Sequence, residues 1–187
     1  MLSGTGGFIN PEKILAQIGI KAGTVVADFG CGHGYFTLPV GRLAGKDGKV
    51  FAVDVLAEAL EAVRSRAQLE HITNIQTCRG NLETVGASKI KEATVDIVLL
   101  HNVLSQSRQK PNILKESARV VKNGGELVLI DWLPTDQIFG GASSFGPENN
   151  QRILSEEAKR IAQEEGFIFE RSLDAGQYHY GLIFIKP

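Results

Sequence analysis

Residues 25–37 read VVADFGCGHGYFT. VVADF is an apolar run interrupted by one acid and closed by glycine, the pattern of a buried strand. Gly30, Gly32 and Gly34 then alternate with Cys31, His33 and Tyr35, giving G-x-G-x-G. A dinucleotide-binding turn requires G-x-G-x-x-G, whose last glycine would fall where this chain has Tyr35. A glycine-rich phosphate loop with its lysine is also absent. Nor do the thiol and imidazole suit nucleophilic catalysis. Such a site needs a base held by a third group, and neighbours in one tight bend cannot fold onto each other that way. Cys31 is therefore expected to pack within the loop and His33 to face solvent.

The next run outward is KVFAVDV (49–55), a second strand after the turn GKDGK, with Asp54 near its end. Asp54 follows Gly34 by about twenty residues, the spacing at which an acid reaches the hydroxyls of a ribose. A glycine bend after one strand and an acid after the next suggest a nucleoside ligand without a pyrophosphate.

The same alternation continues. Leu56, Leu60, Val63 and Ala67 recur at helical spacing over 56–69, and NIQTCRG (74–80) and TVDIVLLHN (94–102) read as strands. PNILKESARVVKNGG (111–125) reads as a helix stopped by Asn123-Gly124, and GELVLIDWL (125–133) as a fifth strand. A long loop, 134–152, precedes a helix with Ser155 as its expected N-cap and Gly166 as its end. FIFERSL, the turn DAGQ and YHYGLIFIKP form a terminal hairpin. Strand–helix alternation implies an α/β doubly wound, mostly parallel sheet, and the hairpin forces one strand antiparallel. Ligands bind at the carboxyl edge of such sheets, where every candidate residue falls.

Composition narrows the function. The chain has 187 residues, expected to form a single domain, with 43% hydrophobic and 22% charged residues and a net charge of −1. Balanced, scattered charge argues against a nucleic-acid partner. No apolar run approaches the length of a membrane span, no secretory leader is evident at the start, and the expected compartment is the cytoplasm. Cys31 and Cys78 lack metal-site spacing, so no metal is expected.

VVADFGCGHGYFT, VFAVDV, RGNLE, VDIVLLHNVL and GGELVLIDW, in that order, resemble the cofactor motifs of class I S-adenosylmethionine-dependent methyltransferases, most of all the small ubiquinone/menaquinone-methyltransferase-like branch. The resemblance runs from Phe8 through the terminal hairpin. It implies a seven-stranded Rossmann-like sheet of order 3-2-1-4-5-7-6 with strand seven antiparallel. The cofactor implied is S-adenosyl-L-methionine, the product S-adenosyl-L-homocysteine, and the reaction in-line methyl transfer to a small-molecule acceptor. Gly30, Cys31 and Gly32 would lie against its methionine moiety. Asp28 would support the loop or reach the amino group through water. Asp54 would bind the ribose diol and Val55 the adenine face. Asn81, where many relatives have Asp, would meet the adenine amino group beside Leu82, and His101 would offer its carbonyl and ring near the methionine end.

The residues also leave roles open. His101 and Asp131 are the candidate general bases. Trp132, Phe139, Phe145, Tyr178 and His179 are candidate acceptor contacts, although alternation sends His179 to the face opposite Tyr178 and Tyr180. The loop 134–152 is a candidate lid, and residues 1–23 a candidate cover on the cofactor side. A shallow acceptor site without a cap domain admits completion by a second subunit in a homodimer. Two other functions stay open: a module that holds the cofactor without turnover, for which Gly30, Gly32 and Asp54 argue equally, and a nicotinamide-dependent oxidoreductase, which Tyr35 disfavours.

Overall fold

The computed structural model describes residues 9–138 and 145–187; Phe139 and residues 1–8 of the expected cover 1–23 fall outside them. Seven strands form one sheet: β1 Val25–Phe29, β2 Lys49–Asp54, β3 Ile75–Arg79, β4 Val95–His101, β5 Val121–Trp132, β6 Ile168–Leu173 and β7 His179–Ile185. Five helices accompany them: α1 Pro11–Ile18, α2 Thr37–Ala44, α3 Ala57–Leu69, α4 Lys110–Val120 and α5 Ser155–Glu164. Strand order is β3-β2-β1-β4-β5-β7-β6, with only β7 antiparallel to its neighbours. This is the topology expected from the sequence.

Register explains how residues distant in sequence meet. Phe29 at the end of β1 lies level with Val53 on β2 and Leu100 on β4. Asp54 and His101 each stand one residue further along, so the glycine bend leaves β1 between them. His101 is level with Ile130 on β5, and Trp132 is level with His179 on β7. The tips of five strands thus converge on one edge.

Period-two alternation divides the side chains between two cores. Ala27, Phe29, Val53, Leu100, Leu129 and Phe184 face α4 and α5, while Val26, Val50, Leu99, Val128, Ile130 and Ile183 face α1 and α2. Burying each large apolar side chain contributes about 1.5–3 kcal/mol. Of the residues at the edge, Asp28, Asp54, His101, Trp132 and His179 share the parity of the second set. Asp131 and Tyr180 share that of the first.

Three local expectations are corrected. The helix 111–125 ends at Val120, and Asn123-Gly124 sits inside β5, where Gly124 takes φ 76° and its amide bonds Lys186 instead of closing a helix. Ser155 begins α5 without a side-chain cap, and Leu154 occupies the cap position. Leu56 caps α3 and is half exposed, so it leaves the helix's apolar stripe and joins the surface beside Asp54. Among the described residues, no helix is long and apolar enough to cross a membrane.

Candidate active site

The bend after β1 is stitched to β2. The amides of Gly30 and Cys31 both donate to the Val53 carbonyl, at 2.8 and 3.1 Å, and Gly30, Gly32 and Gly34 all take positive φ. Each glycine has its own reason. A Cβ on Gly30 would stand 2.5 Å from Val103 Cγ2, and one on Gly34 would press on Val63 and Leu38 of the packed helices. A Cβ on Gly32 would meet nothing within 4 Å. Protein therefore crowds the first and third glycines, whereas Gly32 borders open space, as a cradle for a closely approaching ligand requires.

Asp54 ties the bend to the next loop. Its Oδ2 accepts from the Gly32 amide and its Oδ1 from the Leu56 amide, both at 2.9 Å. Each carboxylate oxygen keeps a further lone pair, enough for the two hydroxyls of a ribose. Beyond it, Val55 and Leu56 are half exposed and form an apolar ledge. Arg79 holds the Val55 carbonyl from β3 at 3.0 Å. Asn81 Oδ1 accepts from the Glu83 amide at 3.0 Å, making a local turn that fixes its amide group, while Leu82 is buried beneath. Diol acceptors, an apolar ledge and an amide stand in a row. That donor set fits S-adenosylmethionine.

Asp28 lies on β1, two residues before Gly30. It is buried, and its carboxylate accepts from Thr37 Oγ1 at 2.5 Å, anchoring the start of α2. Burial outweighs the Thr37 bond and, with Asp54 nearby, raises its pKa to about 6. Cys31 is buried with its Sγ toward the Gly32 carbonyl, and burial pushes its thiol well above the ordinary range. It packs against Ala52, Leu60 and Val63 and is no nucleophile.

At the other end of the crevice, His101 stacks on Phe36 at 4.7 Å and faces His179 at 6.2 Å, centroid to centroid. His179 lies 4.0 Å from the Trp132 ring. Burial lowers the pKa of His101 to about 4 and, helped by His101 and Arg152, that of His179 to about 3. His179 is 5% exposed, and among the described residues neither of its nitrogens has a hydrogen-bond partner. The buried Oδ1 of Asn102, a residue at φ 56°, is likewise unpartnered. Leaving such groups unmade costs about 1–3 kcal/mol each, so both bear on what the crevice can hold.

Asp131 is not part of this group. It is fully buried toward the α4–α5 face, where its carboxylate accepts from the amides of Ser105 and Trp132 at 3.1 and 2.8 Å. It anchors the turn after β4, and burial raises its pKa. Trp132 is also more enclosed than a free stacking platform: His179 covers it, and a Cβ on Gly146 would sit 2.7 Å from its ring. Phe145 meets Tyr178 at 6.1 Å, edge to face.

Several residues of the site were not anticipated. Arg152 is 8% exposed, donates to the carbonyls of Leu133, Phe145 and Pro147, and lies 5.5 Å over Trp132. Tyr35, the residue that broke the dinucleotide fingerprint, donates to the Ile9 carbonyl at 2.8 Å and so ties the segment before α1 over the glycine bend. Glu116, buried on α4, accepts from the amides of Gly86 and Ser88 and pairs with Arg119, fixing the loop that carries Asn81. Glu83 adds bonds to Ser107 and the Arg108 amide. An arginine in a Gly/Ser loop and a glutamate in a helix carry no spacing that marks them in a sequence. Among the described residues, no group of three or more metal-ligating side chains occurs.

Comparison with known proteins places this geometry. Residues 20–170 match the family model described as a methyltransferase domain. The chain is 28% identical to the arsenite methyltransferase of Aquipseudomonas alcaligenes over 81% of its own length and 46% of that protein's. It is 32% identical to the ubiquinone/menaquinone biosynthesis C-methyltransferase UbiE of Hahella chejuensis over 66% of its length and 49% of that protein's. It therefore spans about half the length of the curated relatives it matches. A SAM-dependent methyltransferase structure from Aquifex aeolicus superimposes with a TM-score of 0.85 and 23% identity, covering 96% of this chain and 91% of that one, which shows a shared fold. The chain belongs to the family described as a methyltransferase domain, and it shares the fold of a SAM-dependent methyltransferase.

Proposed function

We propose that the chain, as one domain, transfers a methyl group from S-adenosylmethionine to a small-molecule acceptor. The observation that carries this reading is the Asp54 carboxylate, which closes the Gly32 amide onto the Leu56 amide and keeps a lone pair on each oxygen for a ribose diol. Gly30 and Gly32 present backbone to the methionine moiety. Val55 supports the adenine face, Asn81 its amino group and Leu82 its edge. His101 closes the methionine end through its carbonyl and ring.

When bound, the cofactor supplies a methyl group already activated by its sulfonium. The chain then has to align the acceptor and exclude water, and alignment alone is worth about 7–11 kcal/mol. Phe36, His101, Trp132 and His179 form the wall that does so, with Phe145 and Tyr178 in contact with each other beside it. His101, with its pKa near 4, stays neutral at pH 7. It is a weak base and serves best as a hydrogen-bond acceptor.

That weakness favours one alternative, a module that holds the cofactor without turnover. Incubation with methyl-labelled cofactor and a metabolite extract separates the two. Label moved into a small molecule supports transfer, whereas saturable S-adenosylhomocysteine binding with no labelled product supports the module.

A further inference from the structure

Arg152 is a buried cation without an anion. Its three guanidinium nitrogens are each held by a carbonyl, and among the described residues it forms no ion pair. Residues 1–8 and 139–144 contain no Asp or Glu, so they cannot supply one either. Buried charges are paired in most folds because desolvation is costly, and backbone carbonyls offset that only in part. Burial accordingly lowers the Arg152 pKa, with no acid acting against it. His179, with both nitrogens unpartnered among the described residues, lies 4.0 Å from the same Trp132 ring. A cation lacking its counter-charge and an imidazole lacking its hydrogen bond therefore flank the same indole.

We infer that the methyl acceptor is a small organic anion, its charged end lodged against His179 with Arg152 as counter-charge. This deepens the proposed methyl transfer and rests on it. The chemistry is consistent with the base supply: His101 and His179 are weak bases, and Asp131 is committed to backbone amides. An acceptor that arrives as an anion needs no base. Its lone pair forms the new bond to the methyl carbon as the carbon–sulfur electron pair returns to sulfur. A cation and an anion become two neutral products, and no proton has to leave. Charge neutralisation of this kind is favoured in a low-dielectric crevice.

Trp132 is the chain's single tryptophan, so its fluorescence reports on this site. The full chain, saturated with S-adenosylhomocysteine, is titrated with benzoate and with its neutral counterpart benzamide. Benzoate is expected to bind at least tenfold more tightly, with an affinity that falls as sodium chloride is raised, while that of benzamide stays level. Arg152→Gln should abolish the preference. Should that variant fail to fold, the salt dependence of the wild type carries the same decision. Equal affinities, tighter benzamide, or no response to either probe at millimolar concentration would overturn the inference. S-adenosylhomocysteine binding is read separately by calorimetry: its loss defeats the cofactor assignment, whereas its presence without anion preference defeats only this proposal.

Discussion

Replacing Gly32 with alanine adds one methyl group to a bend where no protein atom lies within 4 Å of the new carbon. Gly32 has φ 50°, so the substitution carries the left-handed backbone penalty of about 1–2 kcal/mol. For a chain of this size that lowers the melting temperature by about 2–8 °C. Gly30→Ala differs because its methyl would meet Val103 at 2.5 Å, adding an overpacking cost of about 1–3 kcal/mol. Binding should show the opposite asymmetry in what is left intact. Gly32→Ala keeps its fold yet loses more than tenfold in affinity for S-adenosylhomocysteine, because the methyl occupies the approach path of the ligand. Thermal melts and calorimetric titrations of both variants read the two effects apart. A Gly32→Ala protein with wild-type affinity would refute the cradle.

Asp28→Asn should stabilise the fold at pH 8. The folded carboxyl titrates near 6 against an ordinary value of 3.8, so the folded state holds an extra proton between those values. Stability is full below 3.8 and is lost as pH rises through 6, by up to about 3 kcal/mol. The variant's gain in melting temperature should vanish near pH 4; a gain that persists there would contradict the burial argument. His179→Leu removes two unpartnered buried nitrogens and should melt no lower than wild type at pH 7. Below 6.5 the unfolded imidazole takes up a proton that the folded one refuses, so the variant's advantage grows by up to about 1.4 kcal/mol per pH unit, as paired melts at pH 7 and 5 would record. Glu116→Ala leaves Arg119 and two amides unmatched and should lower the melting temperature by about 6–20 °C, from about 3–5 kcal/mol. Urea titration giving less than 1 kcal/mol, taken as about the value of an exposed pair, would count against its role in fixing the Asn81 loop.

The strands themselves and the place of Asp54 at a strand tip were legible because both rest on local, periodic signals, whereas the strand order came from the family resemblance. Apolar runs such as VVADF and IVLL can only be interior strands, and an acid at the tip of one such strand lands beside a bend at the tip of its neighbour. Helix ends were less legible. Asn123-Gly124 carries the chemistry of a helix stop, yet tertiary pairing with Lys186 drew the segment into β5. Asp131 looked like a base because its position in the strand is right. Its parity, however, turns it toward Ser105, and one residue of alternation decides which face a side chain serves. Parity did place His179 correctly, apart from Tyr180. Arg152 and Glu116 act through backbone carbonyls and amides brought close only by the fold, and no pattern of side chains announces such partners.

One carboxylate at the tip of β2 holds the account together. Calorimetric titration of S-adenosylhomocysteine into the wild type and into Asp54→Ala tests it most directly. The account predicts one saturable site per chain in the wild type and an affinity at least tenfold weaker in the variant. Equal affinities in the two proteins, or no binding to the wild type, would contradict it.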